Sequence, residues 1–178
     1  MSKAVMLSVR PKWCEKIVNG DKTIEVRKTR PKLETPFKCY IYCTLPKYPH
    51  EDFIAADYPR PQFYGGGKVI GEFTCERIAL IAYDGGELSS TTNAAFSPAT
   101  CLTQSEIIAY IGDKGRCYGW HMSDLRIYDT PKELSEFKTL CRVDADCCAC
   151  PYYNYTKMDC DGRVIGRPPQ SWCYVEAM

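Results

Sequence analysis

The sequence has little histidine, little net charge and no long apolar run. Its two histidines, His50 and His121, stand in no catalytic or metal-ligand spacing, so histidine-based triads and His-rich metal centres have no candidate residues. No stretch approaches the roughly 18 apolar residues that cross a bilayer as a helix. The opening residues "MSKAVMLSVRPK" lack the apolar segment of a secretory signal. The expected location is therefore the cytoplasm, with no membrane contact. Internal repeats and low-complexity tracts are absent. The formal net charge is only +1, which excludes a polycation. An apolar fraction of 45% is too high for a disordered chain and ordinary for a packed one. The length fits one domain with an appendage.

The small net charge hides an uneven distribution. Met1 to Lys47 carries 11 Lys and Arg against 4 Asp and Glu, a local +7, so the remainder sums to −6. This asymmetry suggests a basic face for an anionic partner; a solvated basic surface with no partner is the plainer alternative. The 12 cysteines are also uneven, with six of them between Cys141 and Cys173. In a reducing compartment, thiols in such number are metal ligands or buried free thiols rather than a disulfide framework.

Patterning divides the chain into short elements. "VMLSV" (Val5 to Val9) reads as a strand. "RPKWCEKIVNG" reads as a helix with Pro11 in its first turn, Trp13 and Ile17 on one face, and Gly20 at its end. "KTIEVRK" alternates with period two, placing Thr23, Glu25 and Arg27 on one face and Ile24 and Val26 on the other. Strict alternation turns Lys22 away from Glu25. Phe37 to Thr44 and Lys68 to Tyr83 are further strands, separated by a Pro-, Tyr- and Gly-rich loop. Thr103 and Glu106 form a capping box, with Leu102 and Ile107 spaced as a hydrophobic staple and Gly112 closing the helix. In "CYGWHMSDLRIYD", Tyr118, Trp120 and Met122 alternate as a buried strand face, so Trp120 reads as core; Trp172 suits a site or the core equally. Pro131 opens a helical turn that runs to Phe137. Strands interrupted by two or three short helices, without regular strand–helix–strand units, predict an α+β fold built on a small barrel.

The segment "LSVRPKWCEKIVNGDKTIEVRKTRP" resembles the start of ASCH domains of the PUA-like superfamily. Their signature is a Gly-terminated helix followed by G-x-K-x-x-E-x-R on the next strand, which here is Gly20, Lys22, Glu25 and Arg27. "KVIGEFTCERI", "YGWHMSDLRIYDTPKEL" and "RPPQSWCYVE" follow in the family's order, the last resembling a phage and bacterial subgroup. The resemblance implies a PUA-like β-barrel over residues 1–140, a Cys-rich insertion over 141–170 and a closing strand over 171–178. It also implies a charged cleft that binds RNA or a modified nucleoside, with Ile24 and Val26 filling the barrel. Arg10, Lys12, Lys22, Lys28 and Arg30 would meet phosphates, Glu25 beside Arg27 would accept from a base, and Trp172 would stack. A purely structural Glu25–Arg27 ion pair is the alternative.

Some members of the family hydrolyse an acylated nucleoside with a Lys, a Thr three residues on, and a distant Glu. Lys22 and Glu72 match two of these, but the Thr position is Glu25, so the candidates Lys22, Glu25 and Glu72 form an incomplete set. A monomeric binding module is the primary expectation and an amidohydrolase the second. The third is a phage-encoded module that docks a host protein through Leu45 to Phe63. A structural zinc is expected on Cys148, Cys150, Cys160 and one of Cys141, Cys147 or Cys173, with Cys173 as the fourth ligand assigned.

Overall fold

The structure, a computed structural model, describes residues 2–45, 66–140, 153–154, 159–160 and 163–178. The elements in chain order are β1 (Lys3–Val9), α1 (Pro11–Val18), β2 (Ile24–Arg27), β3 (Phe37–Cys43), β4 (Lys68–Asp84), β5 (Glu87–Ser90), α2 (Gln104–Ile111), β6 (Arg116–Lys132), β7 (Tyr153–Asn154), β8 (Asp159–Cys160) and β9 (Trp172–Glu176). Seven strands form one mixed sheet in the order β2-β6-β4-β3-β1-β9, with β5 paired on β4. The β1–β3 pair is parallel, with α1 and β2 in the crossover between its strands, and the other pairs are antiparallel. The fold is α+β as expected.

The expected barrel is not closed by its backbone. β2 and β9 end the strand order, with an isolated bridge from Thr139 to Val175 beyond β9, and side chains span the distance between β2 and β9. Arg27 Nη2 donates to the Ser8 carbonyl at 2.8 Å, Trp172 Nε1 donates to Thr29 Oγ1 at 2.9 Å, and the Lys32 amide donates to Tyr174 Oη at 2.7 Å. Register shifts along the two long strands, between Val69/Gly71, Glu72/Thr74 and Cys75/Arg77, supply the bending that brings the two edges near one another.

Alternation sorts the strands onto two faces. Val5, Leu7, Val9, Cys39, Ile41, Phe73 and Trp120 face α1, where Cys14 and Ile17 complete a buried cluster. Met6, Tyr40, Tyr42, Val69, Phe137 and Val175 build a second cluster on the other face. A third cluster joins Ile24, Val26, Ala79, Ile81, Ala94 and Cys117 to Ile107 and Ile111 of α2. Ile24 and Val26 therefore pack against α2 and not inside the main core; Glu25 and Arg27 point inward instead. The α2 start is as read: the Thr103 side chain accepts from the Glu106 amide, and the Glu106 carboxylate accepts from the Thr103 amide at 2.8 Å. The turn expected from Pro131 begins later, at Leu134, because β6 carries Pro131 and Lys132 in the ladder to Val69.

Gly71 marks the tightest crossing. A Cβ there would stand 2.4 Å from the Arg126 carbonyl oxygen and 3.1 Å from Ile127 Cα, and neither backbone atom can swing away. Gly71→Ala is expected to destabilise the fold by about 3 kcal/mol, read as a lower urea midpoint at unchanged slope. Unchanged stability would contradict this packing.

Candidate functional site

Three ionisable side chains are buried together beneath α1. Lys22 is 3% exposed, Glu25 6% and Arg27 8%. Glu25 Oε1 meets Arg27 Nη2 at 2.9 Å and Oε2 lies 3.4 Å from Lys22 Nζ. Lys22 Nζ donates to the carbonyls of Ile24 at 3.0 Å and Thr100 at 2.6 Å. Lys22 thus faces Glu25, against the alternation reading. The reason is local. Gly20 turns the chain with φ +79°, the Lys22 amide bonds back to the Lys16 carbonyl at 3.0 Å, and β2 starts only at Ile24, so the strand period does not extend to Lys22. The expectation that Lys22 meets phosphate at the surface is corrected by its burial.

Register explains the rest of the cluster. In the β2–β6 ladder Glu25 lies opposite Trp120 and Arg27 opposite Tyr118, so these four side chains share the α1-facing side of the sheet. Trp120 is fully buried, with Phe37 edge-on at 5.8 Å and Trp172 tilted at 6.1 Å between centroids. Trp172 lies on the same face, because its partner Leu7 belongs to that core. Arg27 Nη1 approaches the Ser171 hydroxyl and carbonyl at 3.4 and 3.5 Å. Burial pushes the Cys14 thiol well above its ordinary range, aided by neighbouring Cys43 and the Glu25 charge and opposed by Arg27.

The site is polar beyond its own means. Two cations and one carboxylate leave a formal +1 in a buried region. Two of its buried donors, Arg27 Nε and Trp120 Nε1, have no hydrogen-bond partner, and Glu25 Oε2 has only its ion pair with Lys22. Each such group costs about 1–3 kcal/mol when left unpaired, and the charges add desolvation of several kcal/mol per ion. A cluster that served only stability would be expected to satisfy these atoms.

Around this cluster, exposed cations rest over aromatic rings. Lys12 Nζ lies 4.5 Å from the Trp13 centroid, Lys28 Nζ 5.2 Å from Tyr110, and the Arg30 guanidinium carbon 6.0 Å from Tyr118; Lys22 approaches Trp13 from the buried side at 5.1 Å. Arg10 is exposed at the head of α1.

Glu72 is not with Glu25. It lies opposite Tyr40, on the Phe137 face, where Tyr128 Oη donates to Oε2 at 2.7 Å and Lys38 Nζ to Oε1 at 3.3 Å. Burial there opposes ionisation, but the Tyr128 and Lys38 hydrogen bonds outweigh it and hold the Glu72 carboxyl below its usual range. The Thr23 hydroxyl is on an exposed residue, whereas Lys22 is buried. The Lys–hydroxyl–Glu set of an amidohydrolase is therefore not assembled from Lys22, Thr23 and Glu72. Sequence reasoning missed Ser8, Thr100 and Ser171, whose contacts to the cluster run mainly through backbone carbonyls that no side-chain pattern signals.

Cys141, Cys147, Cys148 and Cys150, and most of the Leu45 to Phe63 loop, lie outside the described residues. Cys160 is described only as a β8 backbone position opposite Tyr153. Cys173 is a half-buried free thiol, pushed up by burial. Among the described residues no cluster of metal-ligating side chains occurs, and no helix is long and apolar enough to cross a membrane.

No protein-family model matches the sequence, and no curated protein does. Solved structures do match. The crystal structure of ASCH from Zymomonas mobilis gives a TM-score of 0.57 at 18% identity, over 97% of this chain and 87% of that one. A Tyr-to-Phe mutant of the same protein gives 0.58 at 17% identity over 98% and 91%, and a Ser-to-Ala mutant 0.57 at 18% over 97% and 88%. The chain has the fold of these ASCH structures over nearly its whole length.

Proposed function

We propose that this chain, on its ASCH fold, is a nucleic-acid-binding module that takes single-stranded RNA or a modified nucleoside at the Lys22–Glu25–Arg27 cluster. The observation that carries this reading is the buried +1 cluster with two donors, Arg27 Nε and Trp120 Nε1, that make no hydrogen bond, ringed by Lys12, Lys28 and Arg30 over aromatic rings. A base edge would use the unpaired groups, and the exposed cations would meet the phosphates on either side of it. Stacking surfaces for a base come from Trp172 and Tyr118, which are half-buried beside the cluster. A binding role is favoured over hydrolysis because Glu25 stands where the family's hydroxyl nucleophile would, three residues after Lys22, and Thr23 is exposed while Lys22 is buried.

The test is the affinity for a single-stranded RNA pool as salt is varied. Log affinity is expected to fall linearly with log salt. Lys28→Ala, which removes an exposed cation and its contact with the half-buried Tyr110 ring, is expected to reduce that slope by about one and lower the melting temperature only slightly. Salt-independent binding, or no binding at low ionic strength, would overturn the reading.

A further inference from the structure

We propose that residues 166–171 form a strap over the Arg27 end of the buried cluster, and that this strap opens as a unit to admit the ligand. The entry role rests on the nucleic-acid reading above; the opening itself does not. Lys22, Glu25 and Arg27 are more than nine-tenths buried, so nothing of nucleotide size reaches them until a covering element moves. Three elements cover the cluster, and the cost of moving each differs. α1 carries Cys14 and Ile17, both fully buried, with Trp13 and Val18 packed beside them. Lifting it would expose Ile17 alone at a cost of about 1.5–3 kcal/mol, with the rest of that core added. The turn around Thr100 holds Lys22 through its carbonyl at 2.6 Å. Thr100 is itself fully buried, and its hydroxyl donates to the Ser97 and Leu102 carbonyls at 3.0 and 3.3 Å.

The strap is the cheapest to move. Gly166, Arg167, Pro168 and Gln170 are exposed, and Pro169 and Ser171 are half-buried. Pro168 and Pro169 have no N–H to give, so a backbone ladder cannot hold this stretch. Both of its ends are fixed. Ile165 is buried, with its amide bonded to the Phe137 carbonyl at 3.0 Å, and Trp172 begins β9 opposite Leu7. Between them, among the described residues, the ties come from Ser8 and Arg27. The Ser8 hydroxyl donates to the Pro169 carbonyl at 2.5 Å and the Ser8 amide to the Ser171 carbonyl at 2.9 Å. Arg27 Nη1 makes only the two long approaches to Ser171, at 3.4 and 3.5 Å. Opening breaks these ties and frees Arg27 Nη1. It leaves Nη2 on Glu25 and on the Ser8 carbonyl, so the cluster keeps its internal pairing while the ligand enters. Exposed segments with few buried contacts open at a cost far below that of global unfolding.

Native-state hydrogen exchange tests the opening, and RNA affinity tests its purpose. The Ser8 amide reports on the strap, because it is buried and bonded to Ser171. In the wild-type protein its protection factor is expected to lie roughly a hundredfold or more below those of the β1–β3 ladder amides. Ser8→Ala removes the hydroxyl tie to Pro169 and keeps the backbone carbonyl that Arg27 uses. The amide at position 8 is then expected to lose about fivefold in protection, as removal of one hydrogen bond implies. Because only the open state takes the ligand, affinity for a single-stranded RNA pool is expected to rise by the same factor. Loosening a contact beside the site would thus tighten binding. Ser8 protection equal to that of the ladder overturns the strap, and so does exchange unmoved by Ser8→Ala; the wild-type measurement decides the opening even if the variant does not fold. Faster exchange with unchanged or weaker affinity overturns the entry route while leaving RNA binding intact. No binding by the wild-type protein at low salt overturns the functional reading and the entry route with it.

Discussion

Glu25→Gln is expected to destabilise the protein by about 3–5 kcal/mol. The substitution keeps the volume and one acceptor oxygen but removes the carboxylate that the two buried cations share. Lys22 Nζ at 3.4 Å and Arg27 Nη2 at 2.9 Å would then be two uncompensated buried cations. Lys22→Met provides the contrast. It leaves Glu25 and Arg27 as a one-to-one pair and unpairs only the Ile24 and Thr100 carbonyls, so its cost should be clearly smaller. Urea unfolding followed by circular dichroism measures both. A Glu25→Gln variant as stable as wild type, or a Lys22→Met variant less stable than Glu25→Gln, would contradict this charge balance.

Arg27→Ala is expected to act on stability and binding together. Its guanidinium holds Glu25, donates to Ser8 at the end of β1 and approaches Ser171 ahead of β9, so it fastens one edge of the sheet to the other. Its loss leaves a carbonyl and a carboxylate oxygen short of partners, a stability loss of about 3 kcal/mol. RNA affinity should fall at least tenfold, more than removal of one phosphate contact explains. Arg27→Lys restores the charge but has neither the fork nor the Nε–H, so it should recover part of the stability and little of the binding. Melting curves and fluorescence anisotropy on the three proteins separate these effects. Full binding by Arg27→Lys would show that charge alone suffices.

Where side chains interact locally, the sequence was a good guide. The Thr103–Glu106 capping box spans three residues and forms as read, and the Gly20-terminated α1 and the alternating β2 are present because their signals lie within one or two turns of chain. Lys22 stands with Glu25 and Arg27 as the G-x-K-x-x-E-x-R grouping implies, although strict alternation turns it away, because β2 begins only at Ile24. Periodicity shows that Ile24 and Val26 share a face but not which neighbouring element covers it; here α2, about 80 residues later, covers them instead of the main core. The closure of the two sheet edges was not legible at all. Arg27 reaches Ser171 across 144 positions and Trp172 reaches Thr29 across 143, and neither contact has a counterpart in spacing or composition. Glu72 was grouped with Glu25 by resemblance alone, and strand parity puts it on the other face with Tyr128 and Lys38.

The most direct test of the account is a crystal structure of the protein with a bound single-stranded RNA hexamer. The account predicts one base on the α1-facing side of the sheet beside Glu25 and Arg27, stacked on Trp172 or Tyr118, with phosphates beside Lys28 or Arg30. RNA seated instead on the Tyr128–Glu72 face, with Glu25, Arg27 and Trp120 unchanged, would contradict it.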